Sequence, residues 1–291
     1  MHAPAKSGSR SSFCSVRRRL DTELVRRGLV ADQTRAAAEI EAGRVVVSGA
    51  PATKATTLVA PAQAIAVLGP PPRFVGRGGE KLSAALEHFE VAVAGRRILD
   101  AGASTGGFTD CLLQQGAAEV VAVDVGYGQL HERLRADDRV VVRERTDIRS
   151  IDAGDVGGAA EVVVADLSFI SLRTVLPALL CLAVPGAPVV VLVKPQFEAG
   201  RPEVSRGRGV VRDPVVWRQV LDRVAAAMEA EGAIIMGFMV SPLTGADGNV
   251  EFFVHLAAPD SEASAALLDR PIEVGRALDE VVAEAQRSHG S

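Results

Sequence analysis

The sequence predicts an α/β fold: a doubly wound, mostly parallel sheet with an antiparallel last strand, joined to a small amino-terminal α+β domain. Three observations predict it. Short all-apolar runs, such as 162–165 and 188–193, alternate with helix-patterned stretches, as strands covered on both faces do. Two of these runs end on a charge, Asp166 and Lys194, which suits the carboxyl edge of a parallel sheet and not its interior. Finally, Gly69-Pro70-Pro71-Pro72 is a stiff break between segments of opposite charge.

Residues 1–16, rich in Ser, Ala and Gly, are expected to form a disordered extension. Residues 17–68 form the small domain. Leu20, Leu24 and Val25 recur at helical spacing before Gly28, and Asp32 or Thr34 caps a second helix running through Ile40 to Gly43. Residues 44–47 read as a strand, 48–51 as a turn, 56–59 as extended chain and 65–67 as a short strand. Residues 69–76 are the linker. Within 77–258, helices are expected over 82–89, 105–115, 129–135, 172–182 and 215–230. Strands are expected over 97–100, 119–124, 140–142, 162–166, 188–193, 233–240 and 250–256. Residues 197–213 read as a long Gly/Arg-rich loop that orders on substrate. Only 241–249 separates the last two strands, too short for a crossover helix, so they pair antiparallel. In the charged tail 259–291, Ile272, Val274 and Leu278 leave room for one packing helix.

Composition narrows the function classes. Hydrophobic residues make up 48% of the 291-residue chain, enough for a substantial core. Cys14, Cys111 and Cys181 are odd in number and widely spaced, with no Cys/His cluster, so neither a disulfide framework nor a metal site is indicated and a cytoplasmic location fits. Residues 1–16 lack the apolar stretch of a signal peptide. The 20 residues 174–193 carry no charge, yet Pro177, Pro185, Gly186 and Pro188 interrupt them, so they read as core helix, turn and strand and no membrane is expected. A monomer is favoured. Residues 1–80 hold 12 Lys/Arg against 6 Asp/Glu, whereas the other 211 hold 20 against 30. A basic module on an acidic body points to a polyanion partner. Arg17, Arg18, Arg19, Arg26, Arg27, Arg35, Arg44 and Lys54 are its candidate phosphate contacts, and Arg206 and Arg208, with Arg201 and Arg212, are a second set.

Asp100-Ala101-Gly102-Ala103-Ser104-Thr105-Gly106-Gly107-Phe108 follows a strand and opens a helix. Glycines admit close approach to a ligand, and the helix start offers free amides. The spacing is not GxGxxG, so the dinucleotide fingerprint is missing. Asp124, 22 positions after Gly102, suits ribose hydroxyls, and Asp147 and Ile148 suit an adenine. Together they favour S-adenosylmethionine over NAD. Lys81, Asp166, Lys194 and Glu251 are expected to converge on that turn from four separate elements. Two lysines and two carboxylates suit methyl transfer to a hydroxyl, with Lys194 activating it as a base or as an electrostatic clamp. Asp166 is a candidate for both the catalytic and the cofactor set.

Arg77-Gly78-Gly79-Glu80-Lys81-Leu82, the segment 100–108, Ala165-Asp166-Leu167-Ser168-Phe169, Val193-Lys194-Pro195-Gln196-Phe197 and Asn249-Val250-Glu251 resemble the TlyA family of ribosomal RNA 2'-O-methyltransferases, related to the FtsJ type. The resemblance spans about 17–257. It implies a Rossmann-like methyltransferase domain over 77–258, an amino-terminal RNA-binding module like that of ribosomal protein S-four, and methylation of cytidine ribose in small- and large-subunit ribosomal RNA. It also places a Lys-Asp-Lys-Glu tetrad on Lys81, Asp166, Lys194 and Glu251. Family members have carried the label haemolysin, and nothing in the residues supports a pore. The alternatives are a non-catalytic ribosomal RNA-binding or assembly factor, an NAD-type oxidoreductase, and a membrane-lytic protein.

Overall fold

The computed structural model describes residues 17–30, 32–69, 73–260 and 272–289, without the side chains of Arg201, Pro202 and Arg206. The expected disordered extension, and parts of the linker and tail, lie outside the described residues. The chain divides into two compact units, Met1–Pro71 and Pro72–Ser291.

The first unit runs β1 (Arg18–Arg19), α1 (Leu20–Arg26), α2 (Gln33–Glu41), β2 (Val45–Val47), β3 (Ala50–Pro51), β4 (Leu58–Val59) and β5 (Ile65–Val67). β2 is the centre of an antiparallel sheet of order β3-β2-β5, and β1 pairs with β4. Asp32 caps α2, accepting from the Arg35 N–H at 2.8 Å. Leu20 and Leu24 from α1 meet Ala36 and Ile40 from α2 and Val45 from β2 in one small core. Two buried carboxylates border it. Glu23 is paired with Arg26 at 2.6 Å and Arg27 at 2.8 Å. Glu39 is paired with Arg35 at 2.7 Å and with Arg44. Arg27 also donates to the carbonyls of Gln63 at 2.8 Å and Pro61 at 3.0 Å, so it ties α1 to the chain before β5.

The second unit runs α3 (Gly78–His88), β6 (Arg97–Ala101), α4 (Gly107–Gln114), β7 (Glu119–Val123), α5 (Glu132–Arg135), β8 (Val140–Arg143), β9 (Val162–Ala165), α6 (Leu172–Cys181), β10 (Pro188–Val193), α7 (Pro195–Glu198), α8 (Arg201–Arg206), α9 (Pro214–Ala230), β11 (Ile234–Val240), β12 (Phe252–Ala257) and α10 (Val274–His289). Its sheet has seven strands in the order β11-β12-β10-β9-β6-β7-β8. The β6–β7, β7–β8, β6–β9 and β9–β10 pairs are parallel, and β12 lies antiparallel to both β10 and β11. This is the expected doubly wound sheet with its antiparallel last strand. The strand order reverses between β6 and β9, and an open α/β sheet forms its ligand crevice at such a reversal. One face is covered by apolar residues of α6, α9 and α10, the other by those of α3 and α4.

Several elements differ from expectation. The helix expected over 105–115 starts at Gly107, because Gly106 sits at φ 97° in the left-handed region. The helix expected over 129–135 shortens to α5, where the His131 ring accepts from the Arg133 N–H. The expected loop 197–213 is a correction: it holds α7 and α8, each with a proline in its first turn, where a missing N–H costs nothing. The tail helix α10 buries Leu278, Val281, Val282 and Ala285 in the main core.

Asp100, on β6, is wholly buried. Thr109 donates to its Oδ2 at 2.6 Å, tying β6 to α4, and its Oδ1 has no partner among the described residues. Burial pushes its carboxyl up to about 7, against the Thr109 hydrogen bond. An unfolded aspartate sits at about 3.9. The folded form therefore holds the proton more tightly, and this group's contribution falls as pH rises from about 4 to 7. Asp100→Asn keeps an acceptor for Thr109 and removes the charge. It is expected to stabilise the protein by roughly 2–4 kcal/mol at pH 8 and by little at pH 4. Urea midpoints raised equally at both pH values would contradict this.

Glu23 has the opposite sign. Hydrogen bonds from Arg26 and then Arg27 hold its carboxyl down at about 2. Its stabilising contribution is full above about pH 4.5 and is lost as pH falls towards 2. Amide-exchange protection of α1 and α2 is expected to fall across that window, and to fall less in Glu23→Gln. Equal slopes would show that the pairs do not carry acid stability.

Candidate active site

The turn after β6 sits at the switch point. Gly102 adopts φ 89°, and a Cβ there would lie 2.5 Å from the Asp166 carbonyl oxygen. Glycine thus lets the turn cross directly over the end of β9. The Ser104 N–H donates to Asp124 Oδ2 at 2.7 Å, and the Gly126 N–H to Asp124 Oδ1 at 2.6 Å. These bonds fix the carboxylate that ends β7 beside the turn. A cavity of about 520 Å³ opens there, lined by Gly102, Ser104, Asp124, Asp147, Ile148 and Asp166. The Arg149 hydrogen bond holds the Asp147 carboxyl at about 2.

A second cavity, about 340 Å³, shares Gly102, Ser104 and Asp166 with the first. It adds Ala103, Thr105, Gly107, Phe108, Arg77 and Lys81. α3 reaches this edge because its start packs against that of α4. A Cβ on Gly107 would come within 3.0 Å of the Gly79 nitrogen and 3.2 Å of Gly78 Cα.

The four charges form two ion pairs. Lys81 Nζ lies 2.5 Å from Glu251 Oε2, with side chains only 9% and 3% exposed. Lys194 Nζ lies 2.6 Å from Asp166 Oδ1 and donates to Ser168 Oγ at 2.8 Å. Val193 pairs with Phe252 across β10 and β12, so Lys194 and Glu251 are the next residues out on adjacent strands. Burial pushes the Glu251 carboxyl up, while Lys81, and more weakly Lys194, pull it down. All four groups therefore share one electrostatic site at the carboxyl edge. Lys81 and Asp166 line the second cavity, and Glu251 and Lys194 are their ion-pair partners.

Not every expected residue lines a cavity. Asp100 and Gly106 line neither, since Asp100 is buried beneath the turn and Gly106 faces Leu130 and Leu134. In the first unit, Arg19 pairs with Asp21 at 2.6 Å, and Arg26, Arg27, Arg35 and Arg44 pair with Glu23 and Glu39. Arg17, Arg18 and Lys54 are exposed. In the second unit Arg208 is exposed at φ 52°, and the Arg206 side chain lies outside the described residues. Sequence reasoning missed Ser168, although it stands two residues past Asp166. It also missed Glu198, whose carboxylate accepts from Ser171 Oγ at 2.7 Å and from the Leu172 N–H, capping α6 across 26 residues of chain. No local pattern announces such a cap.

Comparison with known proteins identifies the family. The sequence model described as FtsJ-like methyltransferase matches residues 74–258. The 16S/23S rRNA (cytidine-2'-O)-methyltransferase TlyA of Mycobacterium tuberculosis is 51% identical over 251 residues, covering 86% of this chain and 93% of that protein. Hemolysin A of Brachyspira hyodysenteriae is 37% identical, covering 81% of this chain and 98% of that protein. A solved structure from Streptococcus thermophilus, described as a hemolysin, superposes with TM-score 0.68 at 36% identity, covering 96% of this chain and all of that one. Among the described residues no helix is long and apolar enough to cross a membrane. With the family match spanning most of the second unit and these relatives extending over the first, the chain belongs to the FtsJ-like methyltransferase family.

Proposed function

We propose that this methyltransferase moves a methyl group from S-adenosylmethionine to the ribose 2'-hydroxyl of a cytidine in ribosomal RNA. The observation that carries this reading is the set of two ion pairs, Lys81–Glu251 and Lys194–Asp166, beside the cavity under the glycine-rich turn. The M. tuberculosis relative bears that activity in its name. A non-catalytic RNA-binding factor would not need these charges, and an NAD enzyme would need the missing fingerprint.

The cavity residues fit the cofactor. About 520 Å³ lies within the range of roughly 300–1,000 Å³ usual for small-molecule sites. Asp124 offers a fixed carboxylate for ribose hydroxyls, Asp147 and Ile148 suit an adenine, and Gly102 lets the turn lie close against the Asp166 backbone at the cavity wall. Bound there, the cofactor supplies an electrophilic methyl carried on a sulfonium. The chain's residues then place the acceptor oxygen and remove its proton. Lys194, held by Asp166 and Ser168, is the group that takes the proton of the reacting hydroxyl or stabilises its oxygen. Lys81, fixed by Glu251, adds positive charge at the neighbouring rim, which favours a developing alkoxide. Residues 17–68 act as an S-four-like RNA-binding module, whose exposed Arg17, Arg18 and Lys54 contact phosphates.

Lys194→Ala is expected to lower labelled-methyl transfer to ribosomal RNA by about 10²-fold or more, with RNA binding within a few-fold. Transfer at the wild-type rate would end the mechanism. Gly102→Ala should weaken S-adenosylhomocysteine binding about tenfold or more by calorimetry, because the new methyl meets the Asp166 carbonyl. Unchanged affinity would place the cofactor elsewhere.

A further inference from the structure

Asn249 is 1% exposed, and its side-chain hydrogen bonds among the described residues run to Val211 and Gly209, not to the four charges. Its Oδ1 accepts from the Val211 N–H at 2.9 Å, and its Nδ2 donates to the Gly209 carbonyl at 3.0 Å. Both amide functions are thus spent on backbone groups of a segment about 40 residues earlier in the chain. That segment is compactly folded. The Gly209 N–H donates to the Val204 carbonyl at 2.9 Å, Val210 to Gly207 at 3.0 Å, and the Trp217 indole N–H to the Val211 carbonyl at 2.9 Å. The exposed residues Arg208 and Arg212 flank the two groups that Asn249 holds.

The other side of Asn249 leads to the site. Its carbonyl accepts from the Gly245 N–H at 2.8 Å, closing a turn whose Thr244 and Ala246 line the cavity with Lys81 and Asp166. Arg77, at the start of α3, donates to the Thr244 carbonyl at 3.1 Å. A Cβ on Gly245 would sit 2.6 Å from Glu251 Oε1, so this turn packs directly on the carboxylate that holds Lys81. Glu251 follows Asn249 by two residues.

We propose that Asn249 is a positioning residue that latches the Arg208–Arg212 ridge to the turn beside Glu251. RNA phosphates gripped by that ridge are thereby held in register with the Lys81–Glu251 pair. The inference rests on the reading of the site given above and adds the segment through which the RNA is aligned. A point charge on a loose loop would raise affinity alone. A charge latched to the site also fixes where the ribose falls, which is worth rate as well as binding.

The test is a double-mutant cycle between Asn249→Ala and the pair Arg208→Ala/Arg212→Ala, read by steady-state methylation of ribosomal RNA. Asn249→Ala is expected to lower kcat about tenfold and raise KM for RNA several-fold, with S-adenosylhomocysteine affinity within twofold. In the arginine-less background its effect on KM should largely vanish, since the ridge it aligns no longer grips phosphate. Trp217→Phe, which frees the same segment through the Val211 carbonyl, should raise KM for RNA in the same direction and serves if the alanine variant does not fold. Equal losses in both backgrounds, or cofactor affinity falling in step with kcat, would show a merely structural residue and overturn the latch. Wild-type transfer by Lys194→Ala would instead refute the underlying site, so the two failures are distinguishable.

Discussion

A lysine and a glutamate separated by 170 residues of chain meet at 2.5 Å, both nearly buried, and the geometry of the second unit depends on them. Neither charge would be tolerated in that place alone, because an unpaired buried ion costs several kcal/mol. The pair fastens α3 to the outer end of β12. It therefore holds in place the helix start that packs on the glycine-rich turn. Glycines at positions 78 and 107 let the starts of α3 and α4 approach closely, which brings Lys81 to the sheet edge. A buried pair of this kind is weak evidence for stability and better evidence for placement.

The second pair differs in exposure. Lys194 and Asp166 are 11% and 22% exposed and sit at the ends of neighbouring parallel strands. The difference lies in the carboxylates, since the two lysines are buried to a similar degree, and the pairs share an electrostatic environment through Glu251. Asp166 stands at the cavity, whereas Glu251 is buried behind Lys81. The crevice between β6 and β9 holds two cavities that share Asp166, and the second of them also reaches Lys81.

The first unit shows how basic residues divide their work. Arg26, Arg27, Arg35 and Arg44 neutralise two carboxylates at the border of a very small core. A domain with so little apolar surface gains by tying its helices with charge-assisted hydrogen bonds. Arg27, bonded to Glu23 and to carbonyls near β5, is committed to the fold. Arg17, Arg18 and Lys54 remain exposed on the same unit. A positive cluster read from composition is therefore a mixture of structural and available charges.

Periodicity and punctuation in the sequence were enough to determine the alternating strands and helices, the antiparallel final hairpin, the glycine-rich turn and the four charged strand or helix ends. These are local properties, since burial on both faces demands continuous apolar runs and a left-handed turn demands glycine. The partners of those residues were decided only by the folded chain. Lys81 finds Glu251, Glu198 caps a helix 26 residues away, and Asn249 pins a segment that composition marks as a loop. The same holds for α10, whose short apolar stripe reads as peripheral until α9 and β11 cover it. Which polar group satisfies which is set by packing between elements distant in the chain. A hydrogen bond at such a distance leaves no spacing in the sequence for a reader to count.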